Sequence, residues 1–192
     1  MRNALSLALA LGMACSTAWA AGPADLVDAV QARNTAEAIK LLDQKVNVNS
    51  TSPDGTTALH WAVHNADADM VERLIRAGAN VNAKNEFGTT PMAEAVNAGN
   101  TAVLEKLLKA GADPNAPLTD GMTPLMVIAR TTNVAAARLL LDNGANVNAK
   151  ESQKSQTALM WAAAQSQPEM VKELVKRGAD LNARASVNNM ST

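Results

Sequence analysis

The chain has 192 residues, with 17 basic against 18 acidic side chains, 47% hydrophobic and 18% charged. Length on that scale points to one domain, and the balanced charge excludes both a disordered chain and a strongly basic nucleic-acid binder. With one Phe, three Trp and no Tyr, alanine and leucine must fill the core, which favours closely packed helices over a single large sandwich or barrel.

The first element in chain order is an export signal. Arg2 precedes an uncharged apolar run from Ala4 to Ala14, and Ala18-Trp19-Ala20 puts small residues where a signal peptidase inspects. Residues 1–20 therefore read as a secretory signal peptide cleaved after Ala20. Lipoprotein anchoring at Cys15 is a competing export route, although Gly12 stands where an aliphatic residue is wanted. Cleavage takes Arg2 and the one cysteine with it, leaving 16 basic residues against 18 acidic. A thiol-free chain suits an oxidising compartment, periplasmic or secreted, and holds no thiol nucleophile or thiolate metal site. No further apolar run is long enough for membrane insertion once the signal is gone.

Beyond the signal the chain repeats itself. The stretch GANVNAK at residues 78–84 returns letter for letter at 144–150, and GADPNA begins midway, at Gly111. Asn49, Asn82, Asn115, Asn148 and Asn182 are spaced 33, 33, 33 and 34, and Thr57, Thr90, Thr123 and Thr157 follow the same period with the same slip. Two ladders sharing one period make the chain an array. Within each unit a turn dipeptide (Asp54-Gly55, Phe87-Gly88 or Asp120-Gly121) leads to a threonine suited to cap a helix. Pro91 and Pro124 follow at the first helical position, where the missing N–H costs nothing. A short helix then carries Leu59, Ala62 and Val63 in the first full unit. A second helix carries Met70, Val71, Leu74 and Ile75 and stops at Gly78, as later ones stop at Gly111, Gly144 and Gly178. Helices this short are marginal alone, so stacking must bury their apolar faces.

The D-G-x-T-P-L-H stretch, the paired leucines and G-A-x-V-N-A together resemble the ankyrin-repeat family, over residues 24–184. The resemblance implies an all-α solenoid of stacked helix-turn-helix units with β-hairpin-like fingers, about five repeats in all. Residues 21–51 form a degenerate N-terminal capping repeat, whose second helix reads as one residue short. Full repeats follow at 52–84, 85–117, 118–151 and 152–184, with a tail at 185–192. Three departures stand out. The motif histidine, which in the family bonds between neighbouring repeats, survives only as His60. The last unit has Ser155 for its turn glycine and one residue inserted between Lys150 and Thr157, predicting a longer and looser finger. Leu159, Ala162, Met170, Val171 and Leu174 belong to a unit with no successor, so self-association or further repeats could cover that end.

Candidates for chemistry are few. His60 and His64 sit four apart on one helix, a spacing that can hold a metal, but no intervening glutamate and no third histidine complete a site. His60 reads better as the inter-repeat bonder and His64 as a surface residue. Met92, Met126 and Met160 recur at helix starts, better suited to gap-filling than to soft-metal binding. Active-site serine, phosphate-loop and dinucleotide motifs are lacking. The expectation is a protein without enzymatic activity, cofactor, metal or nucleic-acid partner, binding another protein.

Carried over from the family, the docking surface comprises the finger tips and the concave face of the first helices. The candidate partner-binding residues are Trp61, His64, Asn65, Glu86, Phe87, Glu94, Asn97, Asp120, Met122, Arg130, Lys154 and Trp161. Glu94 and Val127 hold the places of Trp61 and Trp161 in the middle units, and a glutamate there implies water access along the row. The tryptophans and Phe87 then serve as anchors, or else only pack their neighbours. Some exported bacterial ankyrin proteins are associated with periplasmic catalase and peroxide resistance, so the resemblance implies a scaffold that protects or regulates such an enzyme. The alternative is a secreted effector or inhibitor that binds a host or competitor enzyme.

Overall fold

Each threonine of the ladder caps a helix in the computed structural model, which describes residues 25–118 and 121–186. Thr57, Thr90, Thr123 and Thr157 accept the backbone N–H three residues on, and so open α3 (Ala58–His64), α5 (Pro91–Asn97), α7 (Pro124–Ala129) and α9 (Ala158–Ala164). In the first unit Asp25 caps α1 (Leu26–Gln31). The second helices are α2 (Thr35–Asp43), α4 (Ala68–Arg76), α6 (Thr101–Lys109), α8 (Val134–Asp142) and α10 (Pro168–Lys176). Asn34, Asp67, Asn100 and Asn133 cap the first four of these through their side chains; Gln167 makes no such bond at α10. Among the described residues these ten helices stand with no strand, only one antiparallel bridge between Thr51 and Thr57.

The first unit differs from its reading. Helix α2 has nine residues, like every other second helix, whereas the step from the first cap to the second, Asp25 to Asn34, is one residue shorter than Thr57 to Asp67, Thr90 to Asn100 or Thr123 to Asn133. The missing residue lies in the first helix and its turn, not in the second helix. That unit also lacks the closing glycine. Gly78, Gly111, Gly144 and Gly178 take φ between +87° and +91°, while Lys45 holds the matching place at +56°. A side chain in this left-handed region crowds the following carbonyl, a cost glycine avoids. Lys45→Gly should therefore raise stability by about 0.5–1 kcal/mol, read as a higher urea midpoint.

Helices α1, α3, α5, α7 and α9 pack in one row, and α4, α6, α8 and α10 in a second, with each pair joined as a hairpin. The core between the rows is periodic. Leu41, Leu74, Leu107, Leu140 and Leu174 are buried at one level, and Leu26, Leu59, Met92 and Leu125 at another. Burying each such side chain contributes about 1.5–3 kcal/mol, which is what holds helices too short to stand alone.

The asparagine ladder is a set of clasps. Asn49, Asn82, Asn115 and Asn148 each donate through the side-chain amide to the closing glycine carbonyl of the next unit, at 3.0–3.2 Å. Each side-chain carbonyl accepts the N–H two residues past that glycine, at 2.7–3.0 Å. Ion pairs span the second row as well: Lys106 meets Glu72, while Arg138 and Arg177 tie α10 to α8 through Glu173 and Asp142. The two guanidinium partners, Arg138 foremost, hold the Glu173 carboxyl below its ordinary range.

The last unit is better covered than its sequence suggests. Ala162, Met170 and Leu174 face the preceding unit and are buried. The outward apolar surface comes instead from half-exposed Leu159 and Val171, with exposed Val175 and Leu181.

Candidate partner-binding groove

Fingers join the units. In the first full unit Ser52 N–H donates to Thr56 C=O at 2.9 Å, and Asn85 to Thr89 and Leu118 to Met122 repeat the pattern at 3.1 and 2.9 Å. These hairpin-like closures match the expected fingers. The Asp54 carboxylate accepts from the Ser52 hydroxyl and from both the N–H and hydroxyl of Thr56. The Ser52 bond, then those of Thr56, keep its pKa below the usual value. Glu86 N–H donates to Asp54 C=O at 2.9 Å, laying one finger on the next. Gly55 is needed there, because a Cβ would come within 3.3 Å of the Asn85 backbone.

The last finger is longer, with Glu151 N–H donating to Gln156 C=O. It is not left loose. The buried Glu151 carboxylate gathers the N–H groups of Gln153, Lys154 and Gln156, the latter two at 2.7 and 3.0 Å. These bonds, that of Gln156 first, lower its pKa. The inserted stretch thus carries its own anchor, which the sequence reading missed; a charged residue at the insertion point was the available signal.

Where the fingers meet the first-helix row, two cavities open. One, of about 230 Å³, is lined by Asp54, Thr56, His60, Trp61, His64, Asn85 and Glu94. The other, of about 250 Å³, is lined by Met122, Arg130, Glu151, Gln153, Lys154, Gln156 and Trp161. Trp61, Glu94, Val127 and Trp161 are all half-buried, as the glutamate in that row implied. Trp61 meets the His64 ring edge-on at 5.5 Å, and His64 Nδ1 lies 3.7 Å from the Glu94 carboxylate. The Arg130 guanidinium lies over the Trp161 ring, 5.0 Å from its centre, in cation–π geometry.

The two indole nitrogens share one property. Among the described residues, Trp61 Nε1 and Trp161 Nε1 are the buried side-chain polar atoms with no hydrogen-bond partner. A buried donor left unpaired costs about 1–3 kcal/mol, a cost that both rings carry within the packed array.

His60 is engaged differently. Thr57 N–H donates to its Nδ1 at 3.2 Å, and its Nε2 meets the Thr89 carbonyl of the next unit at 3.0 Å. A neutral ring protonated on Nε2 satisfies both contacts. Burial pushes its pKa down, against a smaller opposing effect of the Thr89 bond. His60 is thus a joint between units, as read, with no lone pair turned toward His64. No group of three or more His, Cys, Asp or Glu side chains able to hold a metal occurs among the described residues.

The sequence matches a family model described as ankyrin repeats (3 copies), over residues 26–118 and again over 95–185. The chain belongs to the ankyrin-repeat family. Among curated proteins no match was found. Ankyrin repeats make this chain a protein–protein interaction scaffold, in a family whose members are typically not catalysts. No helix among the described residues is long and apolar enough to cross a membrane.

On this ankyrin array the sequence-predicted docking residues divide. The two cavities gather Trp61, His64 and Glu94 at one place, and Arg130, Lys154 and Trp161 at the other. Glu86 and Phe87 are exposed on a finger whose turn is held by Asn85, with Phe87 67% open to solvent. Asn97 is exposed at the end of α5. Met122 lines the second cavity with Arg130, Lys154 and Trp161 and is 6% exposed. One candidate is corrected. Asn65 is structural: its amide donates to Val30 C=O at 2.8 Å, and its carbonyl accepts from Arg33 Nε at 3.1 Å. Asp120 lies outside the described residues.

Proposed function

We propose that the protein is an exported, non-catalytic scaffold that docks a protein partner along the line from Trp61 to Trp161. The observation that carries this reading is the pair of half-buried tryptophans, each lining its own cavity beside the fingers. Rings held by packing and caps lose little freedom on binding, so the contact energy is not spent on ordering. A signal-like N-terminus adds export to the reading. The family resemblance adds the kind of partner, an enzyme such as a periplasmic catalase that the array shields or regulates.

The experiment is recovery of partners from a periplasmic extract on wild type and on the Trp61→Ala/Phe87→Ala/Trp161→Ala triple variant. Loss of at least tenfold in recovered partner is expected, since aromatic anchors dominate interface energies. Equal recovery by both proteins removes the groove from the reading.

A further inference from the structure

Successive units meet along the groove in niches of one register. His64 and Glu94 face each other between the second and third units, with Nδ1 3.7 Å from the carboxylate. Asn97 and Val127 hold the same two places one unit on, and Arg130 and Trp161 hold them between the fourth and fifth. The first niche therefore contains a cationic place and its anion. In the last niche the cation is permanent, and a ring takes the place of the anion. The Arg130 guanidinium rests on that ring, 5.0 Å from its centre.

A guanidinium laid on a ring uses its face and keeps its in-plane N–H fork for an acceptor. Among the described residues Arg130 forms no ion pair, and neither does Lys154, which lines the same cavity. The one carboxylate of the described lining, Glu151, is turned onto the N–H groups of Gln153, Lys154 and Gln156. The Gln156 N–H foremost, and the Lys154 charge more weakly, lower its pKa. Arg130 and Lys154 against Glu151 leave this lining with one positive charge in excess. The walls are also held in place. Lys154 is tied at both ends of its backbone, its N–H to Glu151 at 2.7 Å and its C=O by the Ser186 N–H at 2.7 Å.

We infer that the cavity at Trp161 is a carboxylate site, taking one acidic side chain of a partner protein and so supplying the anion that Glu94 supplies in the first niche. The carboxylate accepts from the Arg130 fork and from Lys154 Nζ, in charge-assisted hydrogen bonds. One carboxylate cancels the excess charge, whereas a dianion such as a phosphate would reverse it. The first-helix row continues past the cavity toward Val127 and Glu94, so a chain lying in the groove crosses the site and presents a side chain, not an end. This inference rests on the reading of the groove as the docking face and names the chemistry that the face selects.

The test is selection of displayed random dodecapeptides on the full chain. Affinities of the enriched peptides are then measured for wild type, Arg130→Gln/Lys154→Gln, Lys84→Gln/Lys176→Gln and Trp61→Ala/Phe87→Ala/Trp161→Ala, each shown to be folded by circular dichroism. Wild type should enrich peptides that share one Asp or Glu, and their affinity should fall as NaCl rises from about 50 to about 500 mM. Replacing that acid by its amide, or introducing Arg130→Gln/Lys154→Gln, should each weaken binding about tenfold or more. The two losses should not add, because both remove one contact. Lys84→Gln/Lys176→Gln removes the same charge at exposed, unpaired lysines outside the cavity and should bind as wild type does. Peptides that need the aromatic side chains yet ignore Arg130→Gln/Lys154→Gln overturn this inference and leave the docking face standing. Equal weakening by both lysine-containing pairs also overturns it, since diffuse charge then explains the binding. Peptides indifferent to every variant overturn both readings, and a selection that enriches no acidic residue overturns this inference.

Discussion

Leu107→Ala should lower stability by about 2–5 kcal/mol, the range for emptying a well-packed leucine site. Leu107 is fully buried in α6, the second helix of the third of the five units, and α6 packs on both α4 and α8. A solenoid's stability is close to a sum of unit and interface contributions, with each unit touching only its neighbours. A cavity at the centre therefore weakens the unit that transmits cooperativity between the two ends. Urea unfolding followed by circular dichroism should show an earlier midpoint and a broadened or two-step transition. The control is Leu181→Ala, whose side chain is 70% exposed and whose loss should cost less than about 0.5 kcal/mol. Similar midpoints for the two variants would contradict the stacked core.

His60→Ala should cost about 2–4 kcal/mol, combining a cavity with a Thr89 carbonyl left without its donor. The same residue sets a pH dependence. Its folded pKa lies below the ordinary value of 6.5 because burial disfavours the charged ring. The unfolded chain then takes up the proton first as pH falls, so stability rises with pH across this interval. The contribution of His60 is fully present above about pH 6.5 and is lost progressively below it, toward the depressed folded value. The lowered carboxylates Asp54, Glu72, Glu105, Glu151 and Glu173 act in a separate, lower window, beginning near their ordinary values of 3.8 and 4.5. Urea midpoints measured from pH 7.5 to 5 should slope for wild type and flatten for His60→Ala. Parallel slopes would show that the imidazole is not the group responsible.

The repeats were legible because their residues do geometric work that few side chains can do. A threonine hydroxyl caps, an asparagine amide both donates and accepts across a joint, and a glycine closes a helix at positive φ. Each recurrence at one period reports the same local geometry, so ladders in sequence became rows in space. The groove was partly legible for the same reason, since Glu94 in the tryptophan row signalled water access. Side chains whose role depends on a neighbouring unit were not. Met122 looked like an open tip because its position in the finger is one, yet its side chain is buried. Asn65 looked free because its acceptor, Val30 C=O, lies 35 residues away. Glu151 looked like part of a loosened insertion because its charge, the one local signal, does not by itself tell which backbone amides it will collect. The second-helix caps Asp67, Asn100 and Asn133 were visible in principle and were overlooked beside the stronger threonine signal.

Because every joint of the array uses the same asparagine clasp, the molecule carries its own ruler. Excising residues 85–117 would hand Asn82 the Gly144 carbonyl and the Asn146 amide in the register that Gly111 and Asp113 now occupy. The span between the outer tryptophans would shorten by one whole notch while the bond at the splice stayed the same. Reach in this protein is thus a whole-number quantity, adjustable by gain or loss of a cassette without redesigning any seam.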